Sequence, residues 1–181
     1  MKNKFPQKNY KNVSNYFEDY SNSLKSTMDV ISRNDLEKIS KIIEKTIRSN
    51  SNIFICGNGG SSSVSNHFLC DFQKGLLIDR KLKLKTYSLT SNTDLITAIS
   101  NDISYEKIFS LQLDSLARKN DLLVLFSVSG SSKNIIEACK IAKRNKLKKK
   151  IKILQSKLSG YKFYDDVISE YSALAYPRIV E

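Results

Sequence analysis

The residues with the clearest chemical potential lie between Ile53 and Asp71. A short apolar run, Ile53-Phe54-Ile55-Cys56, leads into Gly57-Asn58-Gly59-Gly60-Ser61-Ser62-Ser63, and the helical stretch beyond carries His67 and Asp71 at i and i+4. A glycine-serine loop between strand and helix directs backbone N–H groups and the positive helix end at one place, which suits an anion. His67 and Asp71 project from one helix face, a spacing suited to chelating one ion. A purely structural account covers the same residues: glycine for the turn, serine for the cap, and local hydrogen bonds for His67 and Asp71.

A second loop, Ser127-Val128-Ser129-Gly130-Ser131-Ser132, follows the apolar run Leu122–Phe126. Ser127, Ser129, Ser131 and Ser132 are more hydroxyls than one helix cap requires, and hydroxyls with free N–H groups bind phosphate without a lysine. No Gly-Lys-Ser/Thr follows the glycines, and the first loop is not Gly-x-Gly-x-x-Gly. These absences argue against a nucleoside triphosphate or a dinucleotide and leave a small phosphorylated metabolite as the better fit.

The elements that must hold these loops can be read in order. Val13, Phe17, Tyr20, Leu24, Met28 and Ile31 form one stripe of an amphipathic helix, behind a tail reaching to about Tyr10. Asn34-Asp35-Leu36-Glu37 reads as a capping-box variant before a second stripe, Leu36 to Ile47. Ile53–Cys56 and Leu122–Phe126 are apolar throughout, as strands buried on both faces are. Leu82–Leu89 alternates and reads as an edge strand, with Lys150–Leu154 and Asp166–Ile168 as weaker candidates. Helices are expected from the first loop to about Gly75, from Thr93 to a break at Asn101-Asp102, from Tyr105 to Ala117, and from the second loop through Ile141. Strands alternating with helices imply a three-layer α-β-α fold of flavodoxin-like type with a mostly parallel sheet. Ligands in such sheets lie beyond the carboxyl ends of the strands, where both loops fall.

The bulk numbers set limits. A chain of 181 residues, 40% hydrophobic and 27% charged, buries a core without staples. No apolar run is long enough to span a bilayer, and the first residues do not form a secretory signal, so no membrane association is expected. Cys56, Cys70 and Cys139 cannot all pair and lack metal-site spacing, which fits a reducing, cytoplasmic setting. The net charge of +12 raises the question of nucleic acid. Much of it is crowded into Lys143, Arg144, Lys146, Lys148, Lys149 and Lys150, at a helix end that favours cations and with no interleaved aromatics, which argues against that partner.

Cys-Gly-Asn-Gly-Gly-Ser, then His67-Phe68, then Leu-Thr-Ser-Asn-Thr with Asn101-Asp102 further on, then Ser-x-Ser-Gly-x-Ser resembles a sugar isomerase (SIS) domain over about Asn34 to Lys143. Within that superfamily the chain is most similar to the phosphoheptose isomerases, which convert sedoheptulose 7-phosphate to glycero-manno-heptose 7-phosphate. The resemblance implies that Asn58, Gly59, Gly60 and Ser61 line a sugar-phosphate site and that Asn101 and Asp102 contact sugar hydroxyls. It implies that Ser127, Ser129 and Ser132 hold the phosphate, with Val128 where the family usually has threonine. His67 would be a metal ligand, commonly for zinc, and Asp71 stands where the family has a glutamate serving as base and ligand. An aldose–ketose isomerase moves a proton between adjacent carbons through an enediol, which calls for a carboxylate near the substrate. Aspartate is one methylene shorter, and a shift of ~1 Å costs on the order of a hundredfold unless the backbone compensates.

The family also places a glutamine in an Arg-Ile-Gln-Glu motif and a second histidine one helix further on. Pro177-Arg178-Ile179-Val180-Glu181 is similar to that motif with Val180 in the glutamine's place, and His67 is the one histidine in the sequence. The expectation is a single SIS domain over 1–181, with a helical extension over 1–50 and an α/β core over 51–181 that lacks the family's usual last helix. Any zinc site would be incomplete within this chain. The implied protein is a heptose-phosphate isomerase of surface-polysaccharide supply, a homodimer or homotetramer with sites shared between subunits. The alternatives are a non-catalytic SIS binding protein, of the type that associates with replication initiation, and an inactive truncated homologue.

Overall fold

The computed structural model describes residues 8–29, 31–80, 84–147 and 149–154. Four parallel strands run in the order β2-β1-β3-β4: β1 Ile53–Gly57, β2 Thr86–Ser88, β3 Leu122–Ser127 and β4 Lys149–Leu154. The chain steps from β1 to β2 on one side, then crosses back to place β3 on β1's other flank. The reversal makes the β1/β3 pair the topological switch point, the position at which open sheets of this kind accept ligands.

Every residue of β1 and β3 is buried, which is why both read as unbroken apolar runs. Phe54, Cys56, Leu123 and Leu125 face one way, into a core completed by Ile108, Phe109, Leu113, Ile135 and Ala138. These come from the connection between β2 and β3 and from α7 (Lys133–Arg144). Ile53, Ile55, Leu122, Val124 and Phe126 face the other way, against α2 (Arg33–Arg48) and α3 (Gly60–Cys70). The three-layer α-β-α fold is therefore as expected, and α1 (Val13–Asp29) and α2 precede it.

Several boundaries differ from the sequence reading. The cap of α2 is Ser32, whose Oγ accepts the Asp35 N–H at 3.2 Å, two residues before the expected Asn34. Gly75 does not end the helix that follows the first loop. A π turn over Asp71–Gly75 leads directly into α4 (Leu76–Arg80). Strand β2 is limited to Thr86–Ser88, and residues 82–83 of the expected strand lie outside the described residues. Helix α5 (Thr93–Asp102) ends at the expected Asn101-Asp102, which form its last turn, and Asn92 caps its start with Oδ1 accepting the Leu95 N–H. The expected helix from Tyr105 is a 3-10 turn, Tyr105–Lys107, followed by α6 (Ser110–Leu116). Strand β4 confirms the Lys150–Leu154 expectation, while Asp166–Ile168 falls outside the described residues. Among the described residues no helix is long and apolar enough to cross a membrane.

At the amino ends of the strands, Asp121 stitches the sheet. Its carboxylate accepts the backbone N–H and the side-chain amide of Asn52, at 2.8 and 2.9 Å, and the Arg118 N–H at 2.8 Å. That stitch aligns β1 with β3, so that Gly57, the carboxyl end of β1, comes out level with Phe126, one residue before the end of β3.

Candidate functional site

Because Gly57 pairs with Phe126, the two glycine-serine loops leave the sheet side by side at the switch point. The first loop turns sharply. Gly59 has φ +54°, a conformation that favours glycine, and α3 begins at the next residue. The helix start lies so close over the strand end that a Cβ on Gly57 would stand 2.7 Å from both the Cβ and the carbonyl oxygen of Ser61. The N–H groups of Ser61 and Ser62 already donate to the carbonyls of Asn58 and Gly59. The first loop therefore offers fewer donors to an anion than its composition suggests.

The second loop offers more. Ser127 is buried and its Oγ accepts the Gly130 N–H at 3.0 Å, with Gly130 at φ +69°, so this serine shapes the loop. Ser129 and Ser132 place their hydroxyls 3.4 Å apart, and Ser129 Oγ accepts the Ser131 N–H. Ser132 is the cap residue of α7, yet its hydroxyl makes no capping bond, and Val128 is exposed. The N–H groups of Lys133 and Asn134, in the first turn of α7, have no carbonyl within the helix to bond. Two hydroxyls and two main-chain donors thus stand at the positive end of a helix, an arrangement that receives phosphate.

The loops are joined through Asn58 by two side chains that the sequence did not single out. Asn58 and Asn134 form a reciprocal amide pair: each Nδ2 donates to the other's Oδ1 at 2.9 Å. Tyr105 adds its hydroxyl to Asn58 Oδ1 at 3.1 Å. The two residues after it grip α7: Glu106 pairs with Lys133 at 2.7 Å and Lys107 with Glu137 at 2.6 Å. The hydrogen bond to Glu106 holds the Lys133 ammonium above its usual pKa. Tyr105 lies three positions after Asp102, at most about 11 Å of chain, which keeps Asn101 and Asp102 near the same edge. Their side chains bond each other at 2.8 Å.

His67 and Asp71 do meet, with His67 Nε2 3.6 Å from Asp71 Oδ2, on an exposed face of α3. A helix rises 1.5 Å per residue, so they stand about 10 and 16 Å along the axis from Gly60. Just before them, Asn66 Oδ1 accepts the hydroxyls of Ser88, at 2.6 Å, and Thr90, at 3.0 Å, fixing the rotation of α3 against the end of β2. Among the described residues no group of three His, Cys, Asp or Glu side chains is placed to hold a metal, so this pair falls one donor short of the three that catalytic zinc sites use. Cys56 is not a nucleophile here; burial, then the neighbouring Cys139, pushes its thiol well above the usual range.

The SIS domain family matches residues 15–148, most of the chain and all of this geometry. The chain belongs to the SIS family. Curated SIS relatives include the phosphoheptose isomerase of Aliarcobacter butzleri, 41% identical over 60% of this chain and 57% of its own length. A probable phosphoheptose isomerase of Thermoplasma acidophilum is 42% identical over 61% of this chain and 62% of its own length. The chain thus spans less than two thirds of these relatives. Among solved structures, a phosphoheptose isomerase from Neisseria gonorrhoeae aligns with a TM-score of 0.67 at 27% identity, over 78% of this chain and 71% of that one. One from Francisella tularensis, at 24% identity over 78% and 72% of the two chains, shares the SIS fold with a TM-score of 0.70.

Proposed function

We propose that this SIS protein binds a phosphorylated sugar and interconverts its aldose and ketose forms, with sedoheptulose 7-phosphate as substrate. The observation that carries the reading is the convergence of the two loops at the β1/β3 switch point, tied by the Asn58–Asn134 pair. The names of the relatives supply the substrate. In this reading Ser129, Ser132 and the first-turn N–H groups of α7 take the phosphate, on a loop framed by Ser127 and Val128. Asn58, Gly59, Gly60 and Ser61 border the sugar, and Asn101 and Asp102 meet its hydroxyls. Asp71 takes the proton from the hydroxyl-bearing carbon beside the carbonyl and returns it to the former carbonyl carbon, with His67 steadying the Asp71 carboxylate. The hydroxyl proton meanwhile passes to the neighbouring oxygen of the enediol. A bound zinc ion would take His67 and Asp71 as two of its donors. The enzyme would work in the cytoplasm as a homo-oligomer supplying heptose for lipopolysaccharide or capsule.

The test is direct. Purified full-length protein incubated with sedoheptulose 7-phosphate, with and without added zinc, should form the aldose isomer. No conversion of any ketose or aldose phosphate would defeat the enzymatic reading, and tight binding without turnover would mark a binding module instead.

A further inference from the structure

We propose that Asn134, with Tyr105, is a positioning residue that orients Asn58 toward the sugar and lets the site tell a sugar phosphate from phosphate alone. The inference rests on the sugar-phosphate reading above and extends it to the Asn134 side chain, which touches no ligand. Asn134 is 2% exposed, so its side chain is closed off from any ligand, whereas Asn58 is part-exposed at the mouth of the first loop. A carboxamide has two acceptor lone pairs and two N–H donors. The Asn58 oxygen accepts from both Asn134 Nδ2 and Tyr105, and one Nδ2–H goes to Asn134, which leaves a single N–H to give to a ligand. With three of its four bonds fixed, the plane of that amide cannot turn, and the remaining donor is held in one direction.

The arrangement also explains why an asparagine, a poor helix former, occupies the first turn of α7. Its partner lies 76 residues away in sequence, on the other loop. A simple staple between the loops would be met by apolar packing at lower risk, since a buried amide that loses its partner is costly. Removing Asn134 would free Asn58 to rotate and leave the Ser129–Ser132 phosphate cradle where it is.

The experiment is a titration of full-length protein and two variants with inorganic phosphate and with sedoheptulose 7-phosphate, followed by calorimetry. Asn134→Ala should weaken the sugar phosphate about tenfold, and Tyr105→Phe, on an exposed side chain that leaves the core alone, about threefold. Inorganic phosphate should move less than about twofold in either, since its donors are untouched. Equal loss for both ligands would show a structural staple and overturn the proposal. So would unchanged preference in both variants while the unmodified protein discriminates. An unmodified protein that binds both ligands equally would instead remove the sugar site itself, and with it any role for Asn134.

Discussion

Asp71 is the residue on which the isomerase reading depends. Proton transfer by a placed carboxylate contributes on the order of a hundredfold or more, so Asp71→Asn should lower kcat by at least about that factor. Its affinity for sedoheptulose 7-phosphate should stay within about twofold, because the residue stands far along α3 from the phosphate donors. A loss of affinity with unchanged kcat would assign Asp71 to binding. At the end of β1, beneath the start of that helix, Gly57→Ala would drive a Cβ to 2.7 Å from Ser61 backbone and side chain. Overpacking of this kind costs about 1–3 kcal/mol, which a thermal melt should show as a fall of roughly 2–10 °C. At this scale the sequence was legible where function rests on composition: paired loops, surplus serines, and His67 and Asp71 on one face. It was silent on Asn134 and Tyr105, because their importance lies in what they face across the switch point. It also gave Ser127 a phosphate, and could not show that buried Ser127 Oγ accepts the Gly130 N–H and so shapes that loop. Only a poor helix former in the first turn of α7 hinted at the pair.

Elements hold these residues by two kinds of tie, one at each end of the sheet. At the amino end, Asp121→Ala would strand three donors, the Asn52 N–H, the Asn52 amide and the Arg118 N–H. The expected cost is on the order of 3 kcal/mol in a denaturant melt, with phosphate affinity unchanged because the stitch is at the opposite edge from the loops. On α7, Glu137 accepts from Lys107 and Lys140, and these bonds bring its pKa down to about 2 from 4.5. A depressed carboxylate stabilises the fold above its unfolded value and loses that contribution as the pH falls toward its folded value. Acidification from 4.5 to 2 should therefore destabilise the protein through this group, and Glu137→Gln should flatten that part of an acid-unfolding curve. A curve unchanged by Glu137→Gln would show that the tie between the 3-10 turn and α7 adds nothing. The buried strands were plain in the sequence because both faces are covered. The edge strand was overextended because alternation alone does not say where pairing stops. The π turn at Asp71–Gly75 left no mark, since Gly75 looks like any helix terminator until the next turn is seen to continue.

For the whole molecule, the spacing of the site and the surface of α1 point the same way. Asp71 sits about 16 Å along α3 from the loop that borders the sugar, on an open face, which is a long reach within one subunit. Meanwhile α1 exposes Val13, Phe17, Leu24 and Met28 together, an apolar stripe that a second copy could cover. If a neighbouring copy brings its Asp71 over these loops, the two halves of the site can be damaged in different chains and still meet. Asp71→Asn protein and Ser129→Ala protein, each impaired alone, should regain activity when unfolded, mixed and refolded together. In a dimer mixed at random, half the molecules pair the two variants and hold one intact site, so about a quarter of all sites should recover. Phe17→Glu should abolish the recovery and leave a monomer by light scattering, because a charge in the middle of the stripe cannot be buried unpaired. Activity that never returns on mixing, from variants that do assemble, would place Asp71 and Ser129 in the same subunit's site and require α3 to bend or the substrate to span the distance.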